Sequence, residues 1–212
     1  SPNTSFFQLI GEITDSSFLE RLISATVHKF GRLDVLLNNA GGASFANMGK
    51  EIYETPIADF ENMIELNVKQ VLVLSQLAVP HLEKTKGAIV NVSSIVAFHK
   101  YSQTPFYSVA KSALDQITIQ MAGSLIKKGI RVNSVNPGPI KTNGIVSAGG
   151  TAEMQTQVFD SMDNSSVSPL GRIGVPDDIG KIILFLADRS QSEILVGHIV
   201  TADGGITLKS PL

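Results

Sequence analysis

The chain contains no cysteine. That excludes a disulfide scaffold, a thiolate metal site and a cysteine nucleophile. Charge is scarce: 17% of residues, with 17 Lys and Arg against 19 Asp and Glu, for a net charge of −2. No basic excess points to nucleic acid, and no like-charge block points to an interaction tail. No apolar run reaches the roughly 18 residues of a membrane span. Residues Ser1 to Phe7 lack the basic-then-apolar shape of a signal peptide, so a soluble, cytoplasmic chain is the expectation. What is plentiful is apolar: 43% of 212 residues, with 18 Gly and 9 Pro, the composition of a folded globular protein. The length is that of one ordinary domain or slightly more, and residues 1–212 are read as a single domain.

Apolar runs and helical periods alternate along the chain. Phe6 to Ile10 reads as a strand ended by Gly11. Asp15 or Ser16 caps a helix to about Phe30, stopped by Gly31. Leu33 to Leu37 is a strand apolar on both faces, the pattern of a strand covered on two sides. Asp59 to about Val79 and Phe106 to Lys127 are long helices around a strand at Gly87 to Val92. A further strand, Ile130 to Val135, ends at Asn136-Pro137-Gly138-Pro139. Residues 143–170 are a polar loop with a short helix near Glu153 to Met162. A helix at Asp177 to Leu186 and a strand at Gly197 to Thr201 follow. Strands alternating with helices of this length imply parallel pairing by right-handed crossovers, hence an α/β, doubly wound parallel sheet. In such sheets ligands sit beyond the carboxyl ends of the strands.

The chemically interesting residues do follow strands. Asn38-Asn39-Ala40-Gly41-Gly42 offers small residues that let a ligand approach the backbone. Ser93 and Ser94 follow the next strand. Tyr107 and Lys111, four apart near a helix start, share one face. A phenol titrates near ~10, so a neutral-pH base needs a drop of roughly 3 units, about 4 kcal/mol. One cation ~5 Å away supplies about 3 kcal/mol at an effective dielectric of ~20. Asn67 stands inside a helix, where asparagine is disfavoured. Histidines 28, 81, 99 and 198 show no ligand spacing, and no Gly-x-Ser-x-Gly elbow exists.

In order, these segments resemble the classical short-chain dehydrogenase/reductase family. Asn38-Asn39-Ala40-Gly41, Asn67, Ser94 thirteen before Tyr107, Lys111, Pro137-Gly138 with Thr142, and Asp203-Gly204-Gly205 are all in register, from about Phe6 to Leu208. The resemblance implies a Rossmann-like three-layer sandwich and hydride transfer between NAD or NADP and a carbonyl/alcohol pair, without a metal. It makes Tyr107 the acid/base. Lys111 would lower its pKa and hold the nicotinamide ribose, Ser94 would polarise the substrate oxygen, and Asn67 would support a proton relay. Asn39, Ala40 and Gly41 would line the adenosine side. Glu12 and Ile13 fall where relatives contact adenine. Pro137, Gly138, Ile140 and Thr142 would cradle the carboxamide. The partners implied are a small carbonyl/alcohol substrate and further copies of the chain, as a dimer or tetramer built on the two long helices.

The family pattern begins with two strand-helix units and a Gly-x-x-x-Gly-x-Gly turn. Neither is here; no two glycines are separated by a single residue. That removes the pyrophosphate site and the residue that selects NAD or NADP. It is expected to leave a gap or an apolar edge in the sheet, and the chain is read as part of a longer enzyme. Cofactor binding by this chain alone is expected to be weak. Two other readings are a non-catalytic binding or scaffold protein on the same fold and a sugar-nucleotide epimerase. The Asn-Asn-Ala-Gly and Asp-Gly-Gly segments argue against the epimerase.

Overall fold

The computed structural model describes residues 5–98 and 103–209; Ser1 and His99 lie outside them. The first helix, α1 (Ser16–Phe30), starts where Asp15 accepts a 2.9 Å hydrogen bond from the Ser17 amide. It ends at Gly31, whose left-handed φ of 75° lets its amide reach the Val27 carbonyl. β1 (Val35–Asn38) follows. The next rod is α2 (Ile57–Ile64), one wide turn at Glu65–Lys69 and α3 (Gln70–Thr85), longer at both ends than its periodicity predicts. The wide turn is a π-bulge, a local expansion of the helix often found at functional sites, and it contains Asn67. β2 (Ala88–Val92), α4 (Pro105–Leu125) and β3 (Arg131–Pro137) complete the centre. The polar segment carries α5 (Gly144–Ser147) and α6 (Ala152–Met162). Then come α7 (Pro176–Ala187), α8 (Arg189–Ser192) and β4 (Ile199–Ala202).

The four strands form one parallel sheet in the order β1-β2-β3-β4. Because all run the same way, Asn38, Val92 and Pro137 end on one edge, and the loops after them share that edge. On one face Leu36, Ile89 and Val132 pack against α1, α3 and Ala122 of α4. On the other, Val90 and Val135 pack against Ile179 and Leu186 of α7. The sandwich is thus three-layered around β2 and β3, whose residues are almost all buried.

Two expectations are corrected. Phe6 to Ile10 is not a strand. A strand exists through its neighbour's hydrogen bonds, and this segment has no sheet partner. Leu9 and Ile13 anchor it on the α1 core, while Phe6 and Ile10 are 83% and 85% exposed. Nor is β1 covered on both sides. Leu36 is buried, but Val35 and Leu37 are 37% and 41% exposed, because among the described residues no helix packs on their face. β1 is an edge strand of the sheet, and these two side chains leave it with an apolar exposed face. Among the described residues no helix is long and apolar enough to cross a membrane.

Candidate active site

The site grows from the stripe that α4 buries. Ala110, Lys111, Leu114, Asp115, Thr118 and Ala122 recur at helical spacing and face the sheet. Three are polar, so the helix carries chemistry on the face that holds it in place. Thr118 explains itself through packing. Its hydroxyl accepts from Asn91 Nδ2 at 2.8 Å and donates to the Leu114 carbonyl at 2.9 Å. Asn91 Oδ1 in turn accepts from Asn38 Nδ2, also at 2.8 Å. This buried ladder ties the end of β1 through β2 to α4 beneath the loop that follows Asn38.

That loop is fixed from the other side by the π-bulge. Asn67, 1% exposed, accepts from the Gly42 amide and donates to the Gly42 carbonyl, both at 3.0 Å. Its Nδ2 also reaches the Met63 carbonyl at 3.1 Å. Gln70 Nε2 holds the Ala40 carbonyl at 3.3 Å, a contact no sequence signal indicated. Asn39 and Ala40 are left exposed. A Cβ built on Gly41 would stand 2.7 Å from Asn67 Oδ1 and 3.6 Å from Lys111 Nζ. Glycine here keeps open a path to the lysine.

Above this floor, Tyr107, Ser94 and Lys111 converge. The Ser94 side chain stands close enough to the Tyr107 phenol to act on its pKa. Lys111 Nζ lies 5.5 Å from the Tyr107 ring centroid and donates to the Val92 carbonyl at 2.9 Å. The neighbouring Ser93 turns away, donating to the Lys111 carbonyl at 3.2 Å. Of the two serines, Ser94 is the one whose side chain acts on the tyrosine. The electrostatics differ from expectation. Burial pushes the Tyr107 phenol up to about 12, against a smaller lowering by Ser94. Burial pushes the Lys111 ammonium down to about 8, partly offset by Asp115. The protein by itself opposes, by about 3 kcal/mol, the phenolate that the sequence argument sought. Low polarity around both groups outweighs the mutual effect of a cation that sits over the ring rather than at the oxygen.

The turn after β3 closes the rim. The Gly138 amide donates to the Ala202 carbonyl at 3.0 Å, and a Cβ on Gly138 would stand 2.8 Å from Asp203 Cβ. Asp203 accepts from the Gly205 and Thr207 amides. Pro137 ends β3, Ile140 packs toward α7, and Thr142 Oγ1 accepts from the Gly144 amide at 3.2 Å. Glu12 and Ile13 are not brought to this cluster: Glu12 is exposed and bonded to Thr14, and Ile13 packs against the core under α1. Asp115, Asn136 and Gln70 were missed; only the polar breaks in the α4 stripe could have flagged Asp115.

The arrangement suits the nicotinamide-ribose half of a dinucleotide. Lys111 offers N–H groups toward the gap kept by Gly41, and Tyr107 and Ser94 present two hydroxyls at the carboxyl ends of parallel strands. A sheet of this topology with a tyrosine-lysine pair at its carboxyl edge defines a class of nucleotide-dependent α/β proteins. Comparison with known proteins is specific. A family model described as enoyl-(acyl carrier protein) reductase matches residues 3–207. The 7alpha-hydroxysteroid dehydrogenase of Escherichia coli (strain K12) is 34% identical over 195 residues, covering 92% of this chain and 71% of that protein. A short-chain dehydrogenase/reductase of unknown function from Caenorhabditis elegans, solved with cofactor, superposes with a TM-score of 0.89. It is 37% identical over 94% of this chain and 74% of its own. A 7alpha-hydroxysteroid dehydrogenase complexed with NADH and 7-oxo glycochenodeoxycholic acid gives a TM-score of 0.77 at 34% identity, over 92% of this chain and 71% of its own. The chain belongs to the short-chain dehydrogenase/reductase family.

Proposed function

We propose that the chain carries the catalytic site of an NAD- or NADP-dependent oxidoreductase that interconverts a carbonyl and an alcohol. The observation that carries this reading is the convergence of Ser94, Tyr107 and Lys111 on one edge of the sheet. A bound nicotinamide supplies the hydride donor or acceptor. Every other part belongs to side chains. With its phenol held near 12, Tyr107 is protonated at neutral pH and is poised to donate its proton to a substrate carbonyl oxygen. Ser94 accepts or donates at the same oxygen and fixes its direction. Lys111 is charged below about 8, and its ammonium holds the ribose hydroxyls. Asn67 keeps the Gly42 loop against Lys111 and supports the proton path. Asn39, Ala40 and Gly41 line the adenosine side. Pro137, Gly138, Ile140 and Thr142 form the carboxamide cradle.

The single domain is read as cytoplasmic and as a dimer or tetramer. Exposed Val109 and Ile119 on α4 and Leu184 and Phe185 on α7 support assembly. Tyr107→Phe tests the function. It should abolish NADH- or NADPH-dependent reduction across a ketone panel while leaving the thermal midpoint nearly unchanged. Turnover within a few-fold of wild type would refute the assignment.

A further inference from the structure

The buried stripe of α4 carries a carboxylate that none of these roles uses. Asp115 is 7% exposed, one turn beyond Lys111. Its Oδ2 accepts from Asn136 Nδ2 at 2.7 Å. The same nitrogen donates to the backbone carbonyl of Ser94 at 3.1 Å. At the other end of the amide, Asn136 Oδ1 accepts from the Ser134 hydroxyl at 2.9 Å. Asn136 is fully buried, and donors and acceptors on both sides dictate which way its amide faces.

Ser94 needs such a hold. It leaves β2 in extended backbone, with φ −167° and ψ 155°, and its hydroxyl accepts from the Val96 amide at 3.3 Å while also meeting Tyr107. The carbonyl that Asn136 grips belongs to the same residue, so fixing that peptide plane fixes the Cα from which the hydroxyl projects. We propose that Asp115 and Asn136 are positioning residues that clamp the Ser94 carbonyl and thereby aim the Ser94 hydroxyl at Tyr107. A carboxylate is a costly way to do this. Burial raises the Asp115 pKa, and Ser93 after β2, Asn136 on β3 and the charge of Lys111 on its own helix pull it back. The cost is consistent with a demand for orientation that packing alone does not meet.

The inference rests on the functional reading of Ser94 and Tyr107, and its test separates the two. With the best ketone of a panel, Asn136→Ala should lower kcat by about tenfold to hundredfold, with the cofactor KM within about twofold. Asp115→Ala should act in the same direction, and Asp115→Asn, which keeps an acceptor, should recover most of the loss. In a Ser94→Ala background Asn136→Ala should cost nothing further. A second readout needs no turnover. In protein labelled with 3-fluorotyrosine, the Tyr107 resonance, assigned with Tyr107→Phe, should move in Asn136→Ala as it does in Ser94→Ala. An unmoved resonance, or an equal loss of kcat with and without the Ser94 hydroxyl, overturns the clamp. Absence of all wild-type turnover would refute the functional reading, and the resonance would still decide the clamp.

Discussion

Replacing Lys111 by methionine should destroy activity and yet stabilise the fold. Lys111 is 4% exposed and its pKa is pushed from 10.5 down to about 8, chiefly by burial. At pH 7 it is charged in both folded and unfolded chains, so the folded state carries the whole penalty. A shift of about 2.5 units is about 3 kcal/mol. Methionine removes that cost and fills similar space. It also removes the 2.9 Å bond to the Val92 carbonyl, a charged hydrogen bond of about 1.5–3 kcal/mol, and it deprives Asp115 of its cation. The balance is a gain on the order of 1 kcal/mol, which is about 0.4 M in the urea midpoint. The sign with pH is definite. A lysine whose folded pKa is depressed destabilises fully below that value and ceases to do so above the unfolded value. The penalty therefore falls from about 3 kcal/mol at pH 7 to below about 1 kcal/mol at pH 10. Urea unfolding of wild type and variant at both pH values measures this difference. A variant less stable than wild type at pH 7, or an advantage no smaller at pH 10, would refute the reasoning.

Other outcomes follow from the same geometry. Gly41→Ala should raise the KM for NADH and NADPH by about tenfold or more, because its Cβ would stand 2.7 Å from Asn67 Oδ1 and narrow the path to Lys111; steady-state titration of both cofactors checks it. Arg131→Met should destabilise by about 3 kcal/mol in thermal or urea unfolding. Arg131 is 1% exposed and donates to the Leu186, Ala187 and Ser192 carbonyls, all three of which would lose a charged donor while Leu186 keeps the Ser192 hydroxyl at 3.2 Å.

Much of the fold was legible in local chemistry. Asp15 and Gly31 mark both ends of α1 because a cap and a left-handed turn are requirements of one or two residues. Tyr107 and Lys111 share a face because helical geometry makes residues four apart neighbours. What was not legible depends on partners distant in sequence. Phe6 to Ile10 has a strand's composition, but a strand also needs a pairing edge, and composition does not supply one. Val35 and Leu37 have the apolar character of a doubly covered strand, but covering depends on which helices exist to pack there.

The sequence by itself determined the alternation of strands and helices, since periodicity is a local property that survives without coordinates, and, through the resemblance of its ordered segments, the family. The tertiary structure alone decided the electrostatics and the clamp. Burial, not proximity to Lys111, sets the Tyr107 phenol near 12, and Asp115, Asn136 and Ser94 become one unit only when α4, β3 and the end of β2 meet. Solvent exclusion and contacts between residues 21 to 42 positions apart are consequences of packing, which no single stretch of the chain encodes.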